Sequence, residues 1–122
     1  MKKLFYLLPL FICFTSISQK EKVFTVTSEK TELIQNKLDG KFSFILPKST
    51  TTEEVERNSS FYKLYFSVSF NESTKEAIVK MEKNDEKSRH IISRFLTSFG
   101  IEAIQTDGSL YSLEEFYTTF LK

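Results

Sequence analysis

Between residues 41 and 106 the chain switches repeatedly between two hydrophobic periods, and that order limits the architectures open to it. KFSFIL (41–46), YFSVSF (65–70) and EAIVKM (76–81) alternate in the two-residue period of a strand, and Pro47 stops the first of them. NESTK joins the second and third as a hairpin. Thr51 with Glu54 forms a capping box that opens a helix expected to run to about Phe61, burying Val55, Ser59 and Tyr62. Asn84 or Asp85 can cap a second helix, Glu86 to Phe99. Its Ile91, Ile92, Phe95, Leu96 and Phe99 share one stripe, and Gly100 terminates it. Ile101 to Thr106 then reads as a strand.

The flanks add further elements. Val23 to Thr27 (VFTVT) reads as a short strand, with Ser28 as a possible helix cap after it. Residues 29–38 read as a helix carrying Leu33, Ile34 and Leu38 and ending at Gly40, favoured over a hairpin arm signalled by Asp39-Gly40. Asp107-Gly108 turns the chain into a short return through Leu110. Ser112 and Glu115 form a second capping box, and Tyr111 before it can staple onto Phe116. The last helix then presents Leu113, Phe116, Tyr117, Phe120 and Leu121 on one face.

Strand, helix, strand, strand, helix, strand over about 41–106 is the split βαβ order of a ferredoxin-like α+β sandwich. The N-terminal strand/helix is expected to be an extension and the C-terminal helix an addition, with both core helices on one sheet face. In element order and size this part resembles the heavy-metal-associated domains of copper chaperones. That family carries Cys-x-x-Cys in its first strand-to-helix loop, where this chain has PKSTTT, Pro47 to Thr52. The resemblance therefore implies the fold and carries over no metal-site residue.

Residues 1–18 are expected to be a signal peptide. Lys2 and Lys3 precede an apolar run, Leu4 to Phe14, too short to span a bilayer, and Ser16 and Ser18 occupy the small-residue positions. The expected mature chain starts at Gln19, is periplasmic or secreted, and forms one domain over 19–122. Lipidation at Cys13 is the minor reading, because Ile12 before it is bulky.

Cleavage at Ser18 would remove the only cysteine, and with it disulfides, thiolate metal sites and a cysteine nucleophile. Loss of Lys2 and Lys3 leaves 15 basic against 16 acidic residues, so no basic excess remains to attract nucleic acid or an anionic membrane. No cofactor motif is present, and the three glycines form no phosphate loop. His90, the single histidine, falls opposite the apolar stripe of its helix, where Glu86 and Arg94 lie at i, i+4 spacing. Lone and solvated, it argues against catalysis and against a metal set. Arg89 is expected to pair with Asp85 on a solvated helix face. The sequons at Asn58 and Asn71 are treated as chance.

One surface is unusual. If Phe42/Phe44/Leu46, Phe66/Val68/Phe70 and Ala77/Val79/Met81 face the helices, the opposite sheet face carries Ile45, Tyr65 and Ile78, with Ile104 as a further candidate. Such a patch marks either an interface or a surface covered internally by the C-terminal helix and the Leu33 segment, and internal cover is the favoured reading. The expected function is an exported, non-catalytic binding domain whose partner is another envelope protein or a second copy. Its candidate interaction residues are Ile45, Tyr65, Ile78, Arg89 and Arg94. The alternatives are an anion or small-molecule module using Arg89, Arg94 and the 47–52 loop, and an enzyme centred on His90.

Overall fold

A computed structural model describes residues 23–122. The expected signal peptide, Cys13 and the Gln19 terminus lie outside the described residues. The fold is α+β: a six-stranded mixed sheet in the order β3-β4-β2-β1-β5-β6, backed on one face by helices. The strands are β1 Phe24–Thr27, β2 Lys41–Ile45, β3 Phe66–Asn71, β4 Glu76–Met81, β5 Ala103–Thr106 and β6 Ser109–Ser112. The helices are α1 Lys30–Asp39, α2 Thr52–Ser59, α3 Glu86–Thr97 and α4 Leu113–Phe116. A 3₁₀ turn, Ser60–Tyr62, follows α2, and a π-helical segment, Tyr117–Leu121, follows α4.

β1 is the strand whose position the element order does not reveal. It lies between β2 and β5, antiparallel to the first (Val26 opposite Ile45) and parallel to the second (Thr25 opposite Ile104). The N-terminal strand is thus a central element rather than an extension. It also inverts the ordinary partition of side chains. Thr25 and Thr27 point into the covered side, while Phe24 and Val26 point out. The threonine hydroxyls donate to the carbonyls of Ile45 (2.5 Å) and Ser43 (2.6 Å) on β2, which satisfies them on the covered side.

Residues 30–39 are helical, and the start of that helix differs from expectation. Glu29 is the N-cap, forming a capping box with Glu32. Ser28 instead accepts from Asn36 Nδ2 at 3.0 Å, and its carbonyl accepts from the Thr106 hydroxyl. The helix ends at Gly40 in the left-handed region, φ 70°. A Cβ there would also come within 3.1 Å of Asn84 Cγ, a tight contact, so both the backbone conformation and the packing favour glycine.

α2 is capped by Thr51, which accepts from the Glu54 N–H. Val55 is buried, and Ser59 and Tyr62 are half-buried. α3 is capped by Asp85, which accepts from the Ser88 N–H at 2.7 Å. Asp107 and Gly108 both take positive φ, 52° and 78°, as a two-residue hairpin turn demands. Ser112 and Glu115 form the second capping box. Tyr111 meets Phe120 rather than Phe116, with ring centroids 5.3 Å apart, and Phe120 in turn packs on Phe116 at 5.0 Å.

The core is one cluster between sheet and helices: Phe42, Phe44, Phe66, Ala77 and Val79 from the sheet meet Leu33, Val55, Ile92, Phe95, Leu96, Phe116 and Leu121. Phe66 and Phe95 pack edge to face at 5.7 Å, and Tyr62 and Phe99 extend the aromatic group. Phe116 and Leu121 belong to this cluster, so the C-terminal helix joins the other helices. It does not cover the opposite sheet face.

Candidate functional site

Among the described residues no helix covers the other sheet face: Leu33, Val55, Ile92, Phe95, Leu96, Phe116 and Leu121 are buried on the helix side, while Ile34 and Leu38 of α1, expected on its apolar face, stay exposed. Cross-strand register sets Ile45, Val26, Gln105 and Leu110 in one row across β2, β1, β5 and β6, with Phe24 beside Ala103 in the next. Phe24 is 43%, Val26 39%, Ile45 39% and Leu110 51% exposed. Half-buried Ile78 flanks the strip on β4. The polar border is Ser43, whose hydroxyl donates to Glu76 Oε2 at 2.6 Å, with Lys41 and Lys80 beyond. An apolar strip inside a polar rim is the composition of a protein-binding surface.

Of the five expected interaction residues, the structure brings two to this face, Ile45 and Ile78. Tyr65 lies just before β3, half-buried against the core cluster, and its main chain bonds the neighbouring turns. Ile104 pairs with Thr25 and Tyr111 on the covered side and is buried. Arg89 is only 8% exposed rather than solvated. Its Nε–H donates to the Leu121 carbonyl at 2.6 Å, and Nη1 donates to Asn84 O and Oδ1 at 3.1 and 2.7 Å. Arg94 is exposed on α3.

The 47–52 loop is pinned by its own contacts. Lys75 Nζ donates to the Thr50 carbonyl at 2.7 Å, and Glu72 Oε1 accepts from both the N–H and the hydroxyl of Thr52. That hydroxyl, then the N–H, holds the Glu72 carboxyl below its usual range. A carboxylate of the chain itself therefore already takes the donors at the start of α2.

His90 is exposed, as the helical wheel predicts, but its neighbours come from the last helix. Its ring stacks on Tyr117 at 3.8 Å, and Nε2 lies 3.2 Å from Glu114 Oε1. The Tyr117 hydroxyl donates to Glu86 at 3.4 Å. Partial burial, then the Glu86 charge, raises its pKa. Among the described residues no group of three or more His, Cys, Asp or Glu side chains is placed to hold a metal, and no helix is long and apolar enough to cross a membrane.

Phe24, Val26 and Leu110 are the surface residues that sequence reading misses. In FTVT the apolar Phe24 and Val26 share one side of the alternation and Thr25 and Thr27 the other, so alternation alone assigns the apolar side to the core, the reverse of what the structure has. Compared with known proteins, the chain matches no family model, no curated sequence and no solved structure.

Proposed function

We propose that the chain is an exported, non-catalytic interaction domain of the cell envelope that binds another envelope protein on its open sheet face. The observation that carries this reading is the inversion in β1, where Phe24 and Val26 face solvent while Thr25 and Thr27 face the covered side. Leaving two large apolar side chains about two-fifths exposed forgoes burial worth about 1 kcal/mol each. That loss makes sense where a partner supplies the burial. The fold reads as ferredoxin-like, similar to the heavy-metal-associated domain without its metal motif, widened by β1 and extended by α4. The leader over residues 1–18 takes the chain to the periplasm or beyond, and no nucleic acid, membrane insertion or cofactor enters this reading.

The anion-binding alternative has less support, since Arg89 and Thr52 already donate to Leu121, Asn84 and Glu72. A photo-crosslinking side chain at Ile45 should capture one discrete envelope protein, and the same group at Lys87 on α3 should not. Capture should disappear when Phe24 and Val26 are both changed to Ser. Equal capture from the two positions, or none from Ile45, would reject the reading. Sequencing the exported form tests the leader, with Gln19 expected at or near the N-terminus.

A further inference from the structure

Beyond the open face, the sheet has an edge built to receive a copy of itself. β3 is an outermost strand, Phe66–Asn71. From Leu64 to Asn71 it has no charge and no proline, and its register with β4 runs unbroken from Phe66 opposite Met81 to Asn71 opposite Glu76. None of the usual guards against edge pairing is present in the strand: no inward charge, no proline, no bulge. β6, the other outermost strand, is shorter at four residues.

The direction of the free groups follows from the ladder. The Glu82 N–H donates to the Tyr65 carbonyl, and the Met81 N–H donates to the Gly40 carbonyl. Odd-numbered residues of β3 therefore bond to β4, and the main-chain groups of Phe66, Val68 and Phe70 point outward.

The strand reads FSVSF from 66 to 70, the same in both directions. We infer that two copies of the chain pair antiparallel along β3, about a two-fold axis at Val68, forming one continuous sheet. In that register Phe66 of each copy meets Phe70 of the other, Ser67 meets Ser69, and Val68 meets Val68. All the outward-pointing residues fall at hydrogen-bonded positions. Val68 and Phe70, half-buried in one chain, gain cover. The nearest charges beyond the two ends are Lys63 and Glu72. Antiparallel pairing brings Lys63 of one copy toward Glu72 of the other, whereas parallel pairing would bring like charges together. A contact of one strand is small, so the dimer is a reversible one.

Sedimentation over a wide concentration range tests this. The wild-type mass should rise from one chain to two and stop there. Ser67 and Ser69 are exposed and face one another across the axis, so S67K/S69K sets lysine against lysine and should remain at one chain mass. S67K/S69E sets lysine against glutamate and should regain two. Val68→Cys in a Cys13→Ser background should oxidise to a linked dimer, because hydrogen-bonded partners lie about 5.5 Å apart, within disulfide reach. Leu110→Cys in the same background, on the opposite edge strand, should not. Wild type that stays at one mass, or grows past two, overturns the inference. So does S67K/S69K that dimerises like wild type, or Val68→Cys that links no better than Leu110→Cys. Loss of the Ile45 crosslink leaves these readouts unchanged, so the two surfaces are tested separately.

Discussion

Arg89 donates to the carbonyl of Leu121 from a distance of 2.6 Å, and through Asn84 it reaches the end of α1 as well. Asn84 Nδ2 donates to the Lys37 and Leu38 carbonyls, while its Oδ1 accepts from Arg89 Nη1. The end carbonyls of two helices thus gain donors from one cluster, Leu121 from the buried guanidinium directly and Lys37 and Leu38 from the Asn84 carboxamide that the guanidinium holds. The last helix is joined to the body by this arrangement as well as by apolar packing.

Arg89→Ala should therefore destabilise the chain by about 2–4 kcal/mol, because it leaves the Leu121 carbonyl and Asn84 Oδ1 without their donor. Arg89→Lys should recover only part, since one ammonium cannot reproduce the forked geometry. Chemical denaturation measures both. A loss below about 0.5 kcal/mol for Arg89→Ala would return this residue to the surface role that its helix position suggested.

The sequence made the local devices legible: the Thr51, Asp85 and Ser112 caps, the Asp107-Gly108 turn and the core stripe of Ile92, Phe95 and Leu96 all appear where spacing put them. What it could not show depends on contacts between distant residues. The insertion of β1 between β2 and β5 follows from long-range pairing, which no local period encodes. Arg89 looked solvated because the helical wheel of α3 says nothing of a second helix arriving at Leu121. Two residues of the candidate surface, Ile45 and Ile78, followed from alternation. Phe24, Val26 and Leu110 waited on the strand order that joins β1, β5 and β6.

His90→Ala should cost less than about 1 kcal/mol. Its pairing with Glu114 is solvent-exposed on both sides, at 46% and 70%, where ion pairs contribute little. What remains is the stack on Tyr117, which His90→Phe should preserve. Thermal melts of the two variants separate the contributions. A loss above 2 kcal/mol in His90→Ala that His90→Phe does not restore would give the pair to Glu114 a larger role.

Acid should weaken the fold through two helix starts. Asp85 is held below its usual range first by the Ser88 N–H and then by the Ser88 hydroxyl, and Glu72 by Thr52. A carboxylate with a folded pKa below its unfolded value stabilises fully above the unfolded pKa. That contribution disappears as pH falls through the folded one. The decline therefore belongs below about pH 4. Asp85→Asn and Glu72→Gln should each lower stability at neutral pH and converge on wild type at strongly acid pH. Parallel curves that never converge would place the effect outside these carboxylates.

Phe116→Ala tests whether the C-terminal helix belongs to the core. Phe116 is buried in the central cluster, its ring packs on Phe120, and Phe120 packs on Tyr111, so the truncation opens a cavity beneath an aromatic group. The cost should be about 3 kcal/mol or more. For a domain of this size that lowers the melting temperature by roughly 12 °C or more. Ending the chain at Ser112 should prevent folding, because it also removes the carbonyl that Arg89 binds. If Phe116→Ala instead melts like wild type and loses the envelope partner, the last helix is the recognition element and the open sheet face is not.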